Sequence, residues 1–112
     1  MHNNLIKKVL VEFIGTFIFL GVIVAVTKKS VHYDGIETAF AVGLALTVAI
    51  LFGGAISGGY FNPAVSIMML FKENPQYGVK ECVLYCLAQI LGGIAAFYFI
   101  KWTFKKSLFD KI

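Results

Sequence analysis

Long apolar stretches of the chain alternate with short charged clusters. The 16 charged residues, 10 basic and 6 acidic, fall mostly into four clusters, at 7–8, 28–37, 72–81 and 101–111. A stretch of about 20 apolar residues is long enough to cross the hydrocarbon of a bilayer as a helix. The pattern therefore predicts three membrane-spanning helices, at about residues 9–27, 36–53 and 79–101.

The uncharged stretch 38–71 is too long for one span. It is too short for two, because each span needs about 20 residues and a turn must join them. Asn62 and Pro63 suit the N-cap and first position of a helix, which would run for about 15 Å to Phe71, half of the hydrocarbon thickness. The glycines that predict a break before this helix are Gly53, Gly54, Gly58 and Gly59. We therefore predict a re-entrant loop and half-helix at residues 54–71.

Composition indicates an integral membrane protein. Hydrophobic residues make up 59% of the chain and the mean hydropathy is +0.82, whereas a soluble domain of this size needs more polar surface. We interpret residues 1–112 as one multi-pass unit without a soluble domain. The ten lysines, with no arginine, border the spans as membrane anchors and do not indicate nucleic-acid binding.

The sequence offers no chemistry of the kind that enzymes use. It contains no nucleophile–base pair and no phosphate-binding loop, so we expect neither catalysis nor a cofactor. Cys82 and Cys86 are its two cysteines. A zinc site would need further ligands, and His2 and His32 fall in a tail and a loop. We therefore interpret the cysteines as buried, inert thiols and expect no metal site.

Two polar side chains lie within the predicted spans. Glu12 falls about one turn inside the first, and Gln89 falls at the centre of the third. A carboxylate or amide in hydrocarbon is costly, so both side chains need partners in protein or water. For Gln89 the natural partner is irregular backbone. For Glu12 an alternative is that the carboxylate reaches the membrane surface.

Asn62 gives the half-helix its chemistry. Its side-chain oxygen can accept from a backbone N–H of the first turn, which leaves the amide NH2 as an outward donor. The helix dipole adds roughly half a positive charge at this end. A water or a small alcohol would be bound by the donor, while a cation would meet a positive potential. The carbonyls of Gly58 to Tyr60 can supply complementary acceptors.

Three motifs resemble those of the aquaporin (major intrinsic protein) family. The stretch 57–66, Ser-Gly-Gly-Tyr-Phe-Asn-Pro-Ala-Val-Ser, is similar to the family's first signature loop. Residues 12–17, Glu-Phe-Ile-Gly-Thr-Phe, resemble its first-helix motif, and 88–93, Ala-Gln-Ile-Leu-Gly-Gly, its third-helix motif. The resemblance implies an all-α membrane protein with three transmembrane helices and one re-entrant half-helix.

The resemblance also implies roles for individual residues. Asn62 would be a pore donor, and Pro63 and Ala64 would form the contact between facing half-helices. Glu12 and Gln89 would be buried polar braces for the loop backbone. The residues that would line the pore or its constriction are Val42, Ile50, Gly58, Gly59, Tyr60 and Val65.

The chain departs from the family pattern in two respects. It contains one repeat where a typical member has two inverted repeats, and it contains no arginine, so Val65 follows the motif in its place. Tyr60 also stands where histidine is frequent. One half-helix cannot enclose a pore. We therefore expect an inverted, antiparallel homodimer that restores a six-helix channel, assembled further into four such pairs in a cell membrane.

The function that we predict is a passive channel for water, with small neutral solutes as further permeants. Glycerol facilitation is an alternative, although Ser66 after the motif, in place of aspartate, favours water. A second alternative is a non-conducting half-channel that pairs with another aquaporin-like chain. The third is a small dual-topology exporter that couples transport to protonation of Glu12.

The lysine distribution tests whether the chain can insert in both orientations, because orientation depends on lysine asymmetry. Four lysines lie on the N-terminal side, Lys7, Lys8, Lys72 and Lys80, and six on the other, Lys28, Lys29, Lys101, Lys105, Lys106 and Lys111. This weak bias permits dual insertion. We expect the single variants Ser30→Cys and Ser107→Cys to be labelled from both sides of sealed vesicles by an impermeant thiol reagent. Strictly one-sided labelling of each variant would rule out the antiparallel pair.

Overall fold

A computed structural model describes residues 2–27 and 35–104, and these form four α-helices. Helix α1 spans His2–Thr27, α2 spans Gly35–Ser57, α3 spans Pro63–Met68 and α4 spans Val79–Thr103. A 3₁₀ turn, Met69–Lys72, continues α3. The lysines at 28, 29, 105, 106 and 111, together with Ser30, His32 and Ser107, lie outside the described residues.

Three of the helices are long and apolar enough to cross a membrane, which confirms the predicted number of spans. These segments are Asn4–Thr27, Gly35–Ser57 and Val79–Thr103. The described part of the chain extends 49 × 27 × 20 Å, and its longest dimension matches the roughly 40–45 Å of a bilayer with its headgroup regions. His2, which we predicted in a tail, is instead the first residue of α1.

Helix α1 is the centre of the bundle. It packs against both α2 and α4, and the short helix α3 packs against α4. One close helix approach is at Gly92 of α4, where an added Cβ would lie 2.7 Å from the carbonyl oxygen of Phe13. Small residues at such crossings let backbones approach closely, which stabilises helix pairs in lipid by dispersion contacts.

The predicted end of the second helix is wrong by about one turn. We placed the break at Gly53, Gly54, Gly58 and Gly59, but α2 continues through the first two to Ser57. Gly53 is buried against α1, and a Cβ there would lie 2.5 Å from Cγ1 of Val11. This glycine therefore serves helix packing and does not break the helix. The backbone leaves the helix at Gly58 and Gly59, whose φ angles of +98° and +67° favour glycine.

Phe61 joins the loop to the apolar core. Its side chain is 1% exposed and packs with Val11 and Ala49, although its φ of 51° is uncommon for a residue with a side chain. The ring occupies the place where a Cβ at Gly15 would be, and it lies 3.2 Å from the place of a Cβ at Gly53. Gly15 of α1 therefore makes the space that this ring fills.

Gly15→Ala should destabilise the fold, because the added methyl group would collide with the Phe61 ring. Overpacking of this kind costs about 1–3 kcal/mol. Thermal unfolding in detergent should show a lower midpoint than for the unsubstituted protein. Gly43→Ala is the matched control, because a Cβ at Gly43 meets no atom within 4 Å. An equal midpoint for the two variants would contradict this account of the packing.

Candidate functional site

Glu12 of α1 is fully buried and connects three segments of the chain. Its Oε2 atom accepts from the Ser57 hydroxyl at 2.7 Å and from the Tyr60 N–H at 3.1 Å. Its Oε1 atom accepts from the Phe61 N–H at 2.8 Å and from Nε2 of Gln89 at 2.8 Å. Four donors therefore surround the two oxygen atoms of this carboxylate. The side chain thus points inward and not to the membrane surface.

Gln89 of α4 carries the network on to the short helix. Its Nε2 atom also donates to Oγ of Ser66, at 2.7 Å, and its Oε1 accepts from the same hydroxyl at 3.1 Å. Gln89 and Ser66 are both buried. The orientation of α3 is therefore fixed by a hydrogen-bonded chain that runs from α1 through α4.

Three tyrosines pack around the loop between α2 and α3. The sequence predicted a role for Tyr60 but not for the other two. Tyr60, Tyr77 and Tyr85 form a triangle with ring centroids 5.2–5.5 Å apart. The Tyr85 hydroxyl donates to the Ser57 carbonyl at 2.6 Å, so it satisfies an otherwise orphaned carbonyl at the end of α2.

Tyr77 lies in the loop after α3, and it satisfies a backbone carbonyl of α3 in the same way as Tyr85 satisfies one of α2. Its hydroxyl donates to the carbonyl of Ser66 at 2.7 Å, and burial raises the pKa of this hydroxyl. Nothing local in the sequence marks Tyr77 or Tyr85 for these contacts. A tyrosine at a membrane boundary is normally taken as an interface anchor.

Asn62 is the N-cap of α3, with Pro63 as the first helical residue. Its Oδ1 atom accepts from the Ala64 N–H at 2.8 Å. The side chain is exposed, so the amide NH2 is the donor that it can offer to a ligand. The helix dipole places positive potential at the same end.

The structure brings some of the predicted lining residues together. Gly59 lies beside Ile50, since a Cβ on Gly59 would be 3.6 Å from Cγ1 of Ile50. Val42 is on α2, eight residues or about 12 Å before Ile50, and Val65 is half-buried on α3. Gly58 and Tyr60 line a separate polar pocket of about 180 Å³.

An open groove of about 410 Å³ runs along α1 and α4 beside the start of α3. Asn62 and Pro63 form one wall, and Thr16, Gln89 and Gly93 lie along the helices. The Thr16 hydroxyl is buried and has no hydrogen-bond partner in the structure. The groove therefore combines an apolar surface with the exposed Asn62 side chain at its margin.

The two cysteines, both on α4, pack against α3. The Cys82 thiol is 3.5 Å from the carbonyl oxygen of Ser66, and the Cys86 thiol is 3.9 Å from that of Pro63. Within residues 2–27 and 35–104, no three His, Cys, Asp or Glu side chains are grouped so that they could hold a metal ion.

Glu12→Gln should loosen the loop, because it replaces one acceptor oxygen by an NH2 group that faces two donors. Buried donors without acceptors cost about 1–3 kcal/mol each, so we expect a loss of about 2 kcal/mol or more in unfolding free energy. Equilibrium unfolding in mixed micelles measures this loss. Glu73→Gln, at an exposed position, is the control, and equal stability of the two variants would refute the bracing role.

The family model of the major intrinsic proteins matches residues 1–111. The chain is 42% identical over 92 residues to glycerol uptake facilitator protein-like 6 of Lactiplantibacillus plantarum, covering 80% of this chain and 40% of that protein. It is 33% identical over 111 residues to aquaporin NIP6-1 of Arabidopsis thaliana, covering 94% of this chain and 35% of that protein.

A third relative is aquaporin-5 of Sus scrofa, 34% identical over 92 residues that cover 80% of this chain and 34% of that protein. No solved structure matches the chain significantly. The chain spans well under half the length of the curated relatives that it matches. The match to nearly all of its residues shows that it belongs to the major intrinsic protein family, whose members are integral membrane channels and not enzymes.

Proposed function

We propose that the chain forms one half of a passive channel for water and small neutral solutes. The observation that carries this proposal is the exposed Asn62 amide at the positive end of α3, on the margin of the open groove. The apolar helical segment Pro63–Lys72 is about 15 Å long, half the thickness of bilayer hydrocarbon. A re-entrant segment of this length, ending at one membrane surface, would place Asn62 near the midplane.

The chemistry at Asn62 selects for neutral, hydrogen-bonding solutes. Its NH2 group can replace one hydrogen bond of a passing water, and the dipole of α3 opposes the approach of a cation. Carbonyls of the non-helical loop at Gly58 to Tyr60 would serve as acceptors on the same path. Selectivity of this kind depends on fixed donors, acceptors and positive helix ends.

The second half, in our proposal, is another copy of the chain in the opposite orientation. One unit leaves Asn62 exposed and the groove open, so a facing unit is needed to enclose a path. A two-fold axis in the membrane plane would oppose the two α3 helices at Pro63 and Ala64, as inverted repeats do within single chains. The lysine balance permits both orientations. Four such pairs would form the complete assembly in a cell membrane.

The wall of the constriction would be apolar. Ile50 and Gly59 are adjacent in the structure, and Val42 and Val65 would complete the set. An apolar constriction passes small neutral molecules better than ions. Glycerol is the second candidate permeant, because a 42% identical relative is named a glycerol uptake facilitator-like protein.

Asn62→Asp should change selectivity and leave the fold intact. Aspartate caps a helix about as well as asparagine, but the variant loses the NH2 donor and adds a negative charge. We expect slower vesicle shrinkage in stopped-flow light scattering and a higher cation leak. Asn74→Asp is a matched control, because Oδ1 of Asn74 accepts from the Gln76 N–H at 2.9 Å in the same local geometry, away from the groove.

The same vesicles separate the alternatives. Osmotic shrinkage with sucrose reports water permeation, and re-swelling in a glycerol gradient reports glycerol permeation. Pure protein with neither flux would refute the channel of identical copies and favour a half-channel that needs another chain. A flux driven by a pH gradient and abolished by Glu12→Gln would favour the exporter.

A further inference from the structure

A further cleft lies where the first turns of α1 and α4 meet the loop after α3, next to the polar pocket of Gly58 and Tyr60, with which it shares Lys8 and Gln76. Its volume is about 350 Å³, within the range of about 300–1,000 Å³ typical of small-molecule sites. Side chains from all three segments line it, with Lys8 from α1, Gln76 from the loop and Lys80 from α4. None of the residues assigned to the channel lines it.

The lining favours an anion. Lys8 and Lys80 contribute two ammonium groups, and Asn4 and Gln76 add side-chain amide donors. One carboxylate, that of Glu81, also lines the cleft, but its Oε1 atom accepts the Gly78 N–H at 2.9 Å and caps α4. The charge of the lining is therefore net positive, and its donors suit the oxygens of a phosphate group.

Apolar surface continues from this cleft toward the membrane interior. Leu5 and Pro75 form apolar parts of its lining. On α4, three side chains follow Lys80 along one face at helical spacing: Val83, Leu87 and Leu91. About half of each is exposed. A ligand with a phosphate head and a hydrocarbon tail would match both parts of this surface, whereas a free phosphate ion would match only the first.

The cleft also lies at the correct depth. Lys7 and Lys8 immediately precede the apolar run of α1, and Lys80 stands in the first turn of the α4 span. Lysines at this position meet the headgroup region, where each contributes attraction to anionic lipid.

We propose that this cleft binds the phosphate headgroup of an anionic membrane phospholipid, with one acyl chain along Val83, Leu87 and Leu91. The proposal does not depend on what the channel conducts.

The test is a lipid titration of the full chain in a neutral detergent. Thermal unfolding is measured with added phosphatidylglycerol, phosphatidylcholine or inorganic phosphate, for the unsubstituted protein and for Lys8→Gln/Lys80→Gln. Phosphatidylglycerol should stabilise the unsubstituted protein far more than the other two additions do. In the double variant its apparent Kd should rise about twenty-fivefold, at roughly fivefold for each lysine.

Two further variants make the test specific. Lys72→Gln/Lys101→Gln removes the same charge from exposed positions outside the cleft and should leave the apparent Kd within about twofold. Glu81→Gln keeps an acceptor for Gly78 but removes the negative charge, so it should tighten phosphatidylglycerol binding. Equal losses in both double variants would overturn the site. Equal stabilisation by inorganic phosphate would overturn the lipid assignment.

Discussion

Backbone that leaves helical geometry at membrane depth must find its hydrogen-bond partners inside the protein. Here the Glu12 carboxylate provides two of them directly and holds the group that provides a third. It accepts the N–H groups of Tyr60 and Phe61 directly, and it orients the Ser57 hydroxyl, which accepts from the Gly59 N–H at 3.2 Å. The Gly58 N–H donates to the Gly54 carbonyl at 2.9 Å. Four consecutive N–H groups are thereby satisfied without water.

The same carboxylate sets the position of the half-helix through Gln89 and Ser66. Apolar packing adds to these hydrogen bonds, because the Phe61 ring packs into the space left by Gly15 on α1 and Gly53 on α2. The loop is thus held from both sides. Its neighbour Asn62 is consequently presented by a backbone that these contacts hold in position, as the proposed donor role requires.

The two surfaces of the unit have different chemistry. On the groove side, the exposed Asn62 side chain lies beside a largely apolar surface, a combination that suits the facing protein surface and the polar path of the proposed channel. At the ends of α1 and α4, Lys8 and Lys80 lie above apolar helix faces, a combination that suits lipid. Under both proposals, a single repeat would contribute one surface to a pore and anchor another at the membrane boundary.

The sequence determined the three spans, the length of the short helix and its cap, because these depend on local hydrophobicity and on the chemistry of Asn62 and Pro63. It also indicated that Glu12 and Gln89 need partners. It misplaced the end of α2, since whether Gly53 breaks a helix or packs against Val11 depends on which segment comes near. The contacts of Ser66, Tyr77 and Tyr85 likewise have no local signature. Only the tertiary structure decided them, because it brings residues distant in the chain to one buried carboxylate and its loop.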